Sequence, residues 1–169
     1  MSEIKDSGNR TEFSSGAVRD IQADKGRCDL MPLGVVAGLM ENDAQERVVL
    51  EIHKFMRRGD DLPIYEAIAC FIMEIENKTM AAFMLELSMH YKQGAEKYGE
   101  RNWEKGIPLH SFIDSGVRHF LKHIDGQKDE RHDLAFVWNM LGAVWTMEHK
   151  PEMIDIPFEV IGGKECTVR

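Results

Sequence analysis

The feature that most constrains this chain is the spacing of its apolar residues. They recur every third or fourth position through six stretches, and no stretch of comparable length alternates in the two-residue rhythm of a half-buried strand. A short first helix is expected after Asp29 and Pro32, around Leu33, Val36 and Leu39. A second follows through Val48, Ile52 and Phe55 and stops at Gly59, and a third runs from Ile64 to Ile75. Thr79 caps a fourth, in which Met80, Phe83, Leu87 and Tyr91 share a face. A turn-rich loop from Tyr98 to Pro108 leads into a fifth helix ended by Asp125–Gly126. The sixth is expected from Asp129 to about His149. The fold class is therefore mainly α, a multi-helix bundle.

At 169 residues, with 43% hydrophobic content, one domain is expected. Residues 1–12 carry almost no apolar side chain and read as a flexible, disordered arm, because burial there cannot offset the cost of ordering. The single helical domain spans 13–160, and 161–169 form a tail.

A net charge of −8 argues against nucleic-acid and anionic-membrane partners, though it leaves room for a local basic site. The longest apolar runs, such as Met80–Leu85, fall far short of the ~20 residues a bilayer span requires. The polar start, without a secretory apolar region, predicts a cytoplasmic setting. Cys28, Cys70 and Cys166 are odd in number and lack CxxC spacing, so reduced thiols are expected.

Candidate chemistry concentrates near the start of the sixth helix. Glu130 and Asp133 at i, i+3 are placed to converge, and converging carboxylates are commonly held by a divalent cation that creates a nucleophile from bound water. The alternative is a simple helix start, where first-turn acids favour the dipole. On the fifth helix, Asp114 lies four residues before Arg118 and His119 adjoins them; on the fourth, Glu86 and His90 form a similar pair. Each is a candidate ligand or a plain surface pair. His132–Asp133 is an HD dipeptide, which with His119 and Asp155 would make the ligand set of an HD-type phosphohydrolase.

The loop from Gly94 to Pro108 carries Lys97, Arg101 and Lys105 for phosphate oxygens, Tyr98 and Trp103 for stacking on a base, and Asn102 for a base edge or sugar. A buried anchor is the competing role for Trp103. Arg19, Lys25 and Arg27 form a second basic cluster. P-loop, GxGxxG and GxSxG motifs are all missing.

Several segments together resemble the phage and prophage dATP/dGTP diphosphohydrolase family, whose N-terminal domain is related to MazG-like all-α NTP pyrophosphohydrolases. They are Ser15–Asp20, Lys25–Leu30, Gly94–Gly99 with Asn102–Pro108, Asp114–His119, and Asp129–Asp133 followed by Trp138–Asn139. Glu130-x-x-Asp133 is similar to the second half of the ExxE…ExxD metal signature of the MazG-like proteins, but no ExxE lies in the preceding helix. The stretch 41–79 looks like an insertion relative to shorter members.

The resemblance implies hydrolysis of a purine deoxynucleoside triphosphate, dGTP or dATP, to the monophosphate and pyrophosphate. It implies Mg²⁺ or Mn²⁺, with Co²⁺ a further candidate, held by Glu130, Asp133 and Asp114, with His119 and Glu86 as further ligands. Glu130, Asp133 and Asp114 would be catalytic. Lys97, Arg101, Lys105 and Arg118, joined by Lys25 and Arg27, would hold the phosphates, and Tyr98, Asn102 and Trp103 the base or sugar. A homo-oligomer is implied as well. The competing expectations are an HD-type dNTP triphosphohydrolase and a catalytically silent nucleotide-binding phage accessory protein.

Overall fold

The computed structural model describes residues 8–22, 25–75 and 78–159. Its element order is β1 (Arg10–Glu12), β2 (Val18–Asp20), α1 (Leu33–Val36), α2 (Asp43–Arg58), α3 (Leu62–Glu74), α4 (Met80–Tyr98), α5 (Leu109–Ile124) and α6 (His132–His149). Short 3₁₀ turns lie at Cys28–Leu30, Ala37–Leu39, Asn102–Lys105 and Pro151–Met153. The architecture is a mainly α bundle carrying one small sheet.

The helix boundaries have local causes. The Asn42 side chain accepts from the Gln45 N–H at 2.9 Å to start α2, and Gly59 at φ 68° closes it in the left-handed conformation that glycine adopts without steric cost. Thr79 accepts from the Ala82 N–H at 3.2 Å to start α4. At the start of α5, Asp155 accepts from the His110 N–H at 2.9 Å. Helix α6 is buried on nearly all sides, from Leu134 through Val144, and is the central element against which α3, α4 and α5 pack. Two glycines let α5 and α6 approach closely. A Cβ at Gly142 would lie 2.3 Å from the Phe112 ring, and one at Gly116 would lie 2.2 Å from the end of Met140.

Two expectations are corrected. Arg10–Glu12, expected in the disordered arm, pair antiparallel with Val18–Asp20, Thr11 opposite Arg19; Ala17, just before β2, is fully buried and fixes the hairpin to the bundle. Helix α6 begins at His132 rather than Asp129, so residues 129–131 are not helical and the i, i+3 geometry assumed for Glu130 and Asp133 does not exist. The stretch 41–79 is part of the bundle: Phe71 of α3 meets Phe136 at 4.7 Å and Phe120 at 6.0 Å between ring centroids. Cys28 and Cys70 are free thiols, whereas the tail 161–169, with Cys166, lies outside the described residues. No helix among the described residues is long and apolar enough to cross a membrane.

Candidate active site

Helices α5 and α6 are joined by a short connection and pack side by side, which brings the end of one beside the beginning of the other. His119, near the end of α5, thereby meets His132, the first residue of α6. Their Nδ1 atoms are 3.0 Å apart, and Glu130 Oε1 lies 3.5 Å from each. These three side chains offer ligand atoms within 4.8 Å of one another, the arrangement a metal ion needs. Asp129 Oδ1 lies 2.7 Å from His132 Nε2. In a neutral imidazole whose Nε2–H donates to that carboxylate, Nδ1 carries the lone pair, directed at His119 and Glu130. Burial, reinforced by the neighbouring His132 and the cations Lys122, Arg118 and Arg19, holds the His119 pKa well below its ordinary value, so this imidazole is neutral and able to ligate.

His119 and Glu130 also line a cleft of about 1070 Å³. Among the described residues, its six cationic side chains are Arg19, Lys25, Lys92, Arg101, Arg118 and Lys122. Four described acids share the lining: Asp20, Glu100, Glu104 and Glu130. Cations therefore outnumber acids here, although the whole chain carries −8. Tyr91, Tyr98, Trp103 and Trp138 add aromatic surface to the same cleft. Burial lowers the His90 pKa to about 4 and raises that of Tyr91 to about 12, so both line the cleft as neutral groups at pH 7. The volume and the mixture of cationic and aromatic lining suit a nucleotide.

The sequence-derived ligand set is only partly assembled. Glu130 and His119 come together, but Asp133, Glu86 and Asp114 are engaged elsewhere. With residue 131 outside the helix, the Arg131 guanidinium turns onto Asp133 at 2.8 and 2.6 Å and onto Glu86 at 2.6 Å, while Lys78 meets Glu86 at 2.8 Å. Burial pushes the Asp133 pKa up, but the bonds and charge of Arg131, the Leu134 N–H and the charge of Lys78 together outweigh it and the net shift is downward. Asp114 accepts from the Cys28 N–H at 2.6 Å and from Arg118. It precedes His119 by five residues, about 7.5 Å along the helix axis. Asp155 pairs with His110 at the opposite end of α5, so the H…HD…D set is not assembled.

The loop residues divide similarly. Tyr98, Arg101, Asn102 and Trp103 line the cleft with Lys25 and Arg118; Lys97 and Lys105 do not, and Arg27 is bound to Asp29 at 2.7 and 2.6 Å. The Asn102 amide is spent on the hairpin: it accepts from the Val18 N–H at 2.9 Å and donates to Val18 O at 2.7 Å. Trp103 lies edge-on to Trp145 at 4.9 Å and to Tyr91 at 6.1 Å. Ser111, His110 and Asp155 imitate a hydrolytic triad, yet they line no part of the cleft, and Ser111 is buried.

Sequence spacing gives His132 weight only within the HD dipeptide, reads Arg19 only as one member of a basic cluster suited to an anion, places Asn139 only in a resembling segment, and assigns no role to Lys122. The available signal for Asn139 is a polar residue inside the apolar run of α6, where it is buried. Arg19 Nη1, Gln22 Oε1 and Arg118 Nε, all on cleft-lining residues, are buried without a hydrogen-bond partner among the described residues.

No curated protein and no solved structure matches the chain. The family model described as dATP/dGTP diphosphohydrolase, N-terminal, matches residues 65–156, just over half of the sequence. That range begins inside α3 and contains His119, Glu130 and His132, whereas Arg19, Gln22 and Lys25 lie outside it. The chain thus belongs to the dATP/dGTP diphosphohydrolase N-terminal family.

Proposed function

We propose that the protein hydrolyses purine deoxynucleoside triphosphates, dGTP or dATP, to the monophosphate and pyrophosphate in a metal-dependent reaction. The observation that carries this reading is the convergence of His119, Glu130 and His132 at a cleft whose lining is cationic within an acidic chain. The family description supplies the nucleotide class.

The donor set, two imidazoles and a carboxylate, suits Mn²⁺ or Co²⁺ and is a poor match for Mg²⁺, which prefers oxygen ligands. When bound, such an ion lowers the pKa of water and polarises a phosphoryl oxygen. The chain's own residues do the rest. Asp129 orients His132, and burial keeps His119 deprotonated. Arg118, Lys122, Lys25 and Arg101 offset the charge of the phosphates and of the departing pyrophosphate. Tyr98 and Trp138 present ring faces or edges to the purine.

Product analysis tests the reading. Purified full-length protein with dGTP or dATP and Mn²⁺ or Mg²⁺ is expected to release pyrophosphate and the matching monophosphate. Release of inorganic triphosphate with nucleoside, or no metal-dependent product, rejects it.

A further inference from the structure

The Arg19 guanidinium is brought to the cleft by β2, a strand outside the family match, and its direct contacts there are with neutral groups. Its Nη2 donates to Asn139 Oδ1 at 2.7 Å, and its Cζ lies 5.1 Å from the Phe112 ring centroid and 5.7 Å from that of Trp138. Both kinds of contact orient the group without supplying negative charge. Nη1 is buried and has no hydrogen-bond partner among the described residues. A buried donor left unpaired costs about 1–3 kcal/mol, more when charged, and such groups in native proteins call for an explanation. Burial draws the Arg19 pKa down to about 10; Tyr98 and Asp114 oppose that shift, and the charge of Arg118 adds to it.

Arg118 is the second half of the arrangement. Its Nη2 donates to Gly26 O at 2.7 Å and to Asp114, yet its Nε is also buried without a partner. The positive fields of Arg19 and Arg118 both reach His119. Two oriented guanidinium groups, each with an unused buried N–H, therefore lie in one cleft beside the candidate metal ligands.

We propose that Arg19 Nη1 and Arg118 Nε bind a phosphoryl oxyanion of the nucleotide, making the N-terminal hairpin a part of the substrate site. This deepens the nucleotide-hydrolase reading and rests on it for the identity of the ligand. An anion answers the missing hydrogen bonds of both groups and gives Arg19, whose direct contacts are neutral, a partner of opposite charge, whereas a neutral base carbonyl answers only the first; Arg118 already pairs with Asp114. The hairpin is fastened where such a role needs it, since Asn102 grips Val18, the residue before Arg19, through both its N–H and its C=O. Arg19 is thus a substrate-binding residue, and Asn139 and Asn102 position it.

Binding without turnover tests this. Inorganic tripolyphosphate is titrated into metal-free full-length protein in EDTA, with deoxyguanosine as the uncharged comparison. The Arg19→Met variant fills the space without charge, and Arg19→Lys keeps the charge but not the planar fork. Wild-type protein is expected to bind tripolyphosphate and to melt at higher temperature with it. Arg19→Met should bind at least tenfold more weakly and lose that rise, with no fall in its ligand-free melting temperature. Arg19→Lys should bind severalfold more weakly than wild type, and deoxyguanosine binding should be unchanged in both variants. Tripolyphosphate affinity within twofold of wild type in both variants overturns the proposal. So does a loss confined to deoxyguanosine. If Arg19→Met fails to fold, Arg19→Lys decides by the same comparison. Failure to release pyrophosphate would sink the hydrolase reading yet leave this binding result standing, so the two failures are distinguishable.

Discussion

His119 Nδ1 and His132 Nδ1 face each other at 3.0 Å across the α5–α6 junction, with Glu130 completing the set and Asp129 behind His132. An orienting carboxylate behind a ligating histidine usually contributes about 10–100-fold in metal affinity. Asp129→Asn is therefore expected to weaken Mn²⁺ binding by that factor in calorimetric titration, with a smaller effect on folding. His132→Ala should abolish binding at the same site. Unchanged Mn²⁺ affinity in His132→Ala would remove this cluster from the mechanism.

Asp133 tests the difference between spacing and structure. Its carboxylate is occupied by Arg131, with Lys78 at 3.8 Å. Asp133→Asn is expected to lower stability in urea by about 1–3 kcal/mol, the scale of lost charge-assisted hydrogen bonds, while Mn²⁺ affinity stays within a few-fold. Loss of metal binding with unchanged stability would restore Asp133 as a ligand.

The buried imidazoles give the ligand-free protein a pH dependence of definite sign. His90 has its pKa lowered from 6.5 to about 4 by burial, and burial lowers His119 and His123 as well. Between pH 6.5 and about 4 the unfolded chain binds more protons than the folded one, so stability is full above that window and falls as pH drops through it. Melting curves should move to lower temperature from about pH 7 to about pH 4. The fall should be shallower in His90→Gln, and parallel curves for the two proteins would refute the assignment.

Trp103 is an anchor of the loop. Its ring packs edge-on against Trp145 and Tyr91, so Trp103→Ala is expected to cost about 3 kcal/mol, near the lower end for removing a packed aromatic, and Trp103→Phe should recover much of it. A raised KM for dGTP with an unchanged unfolding curve would assign Trp103 to the base instead.

Gly142 sets how closely α5 and α6 approach. Gly142→Ala would drive a methyl group into the Phe112 ring and is expected to destabilise by about 1–3 kcal/mol. Gly116→Ala meets the flexible end of Met140, which can move aside, so its cost in the same urea titration should be smaller. Equal effects would mean that the junction is softer than its packing indicates.

Apolar periodicity and cap residues determine local structure because each acts within a few turns of chain. The sequence alone was therefore enough to define α2 through α5 and the stops at Gly59 and Asp125–Gly126, and to name His119 and Glu130 among its candidates, two side chains that the fold brings together. The two short strands escaped it, since three residues carry too little pattern to count and the clasp on Val18 comes from Asn102, 84 residues away. Only the tertiary structure decided which charged groups meet. An acid looks the same in sequence whether it faces a metal or an arginine. Starting α6 at His132 turned Asp133 toward Arg131 and His132 toward His119, and folding the hairpin onto the bundle carried Arg19 into the cleft. Long-range partners are chosen by packing, and packing is a property of the whole chain.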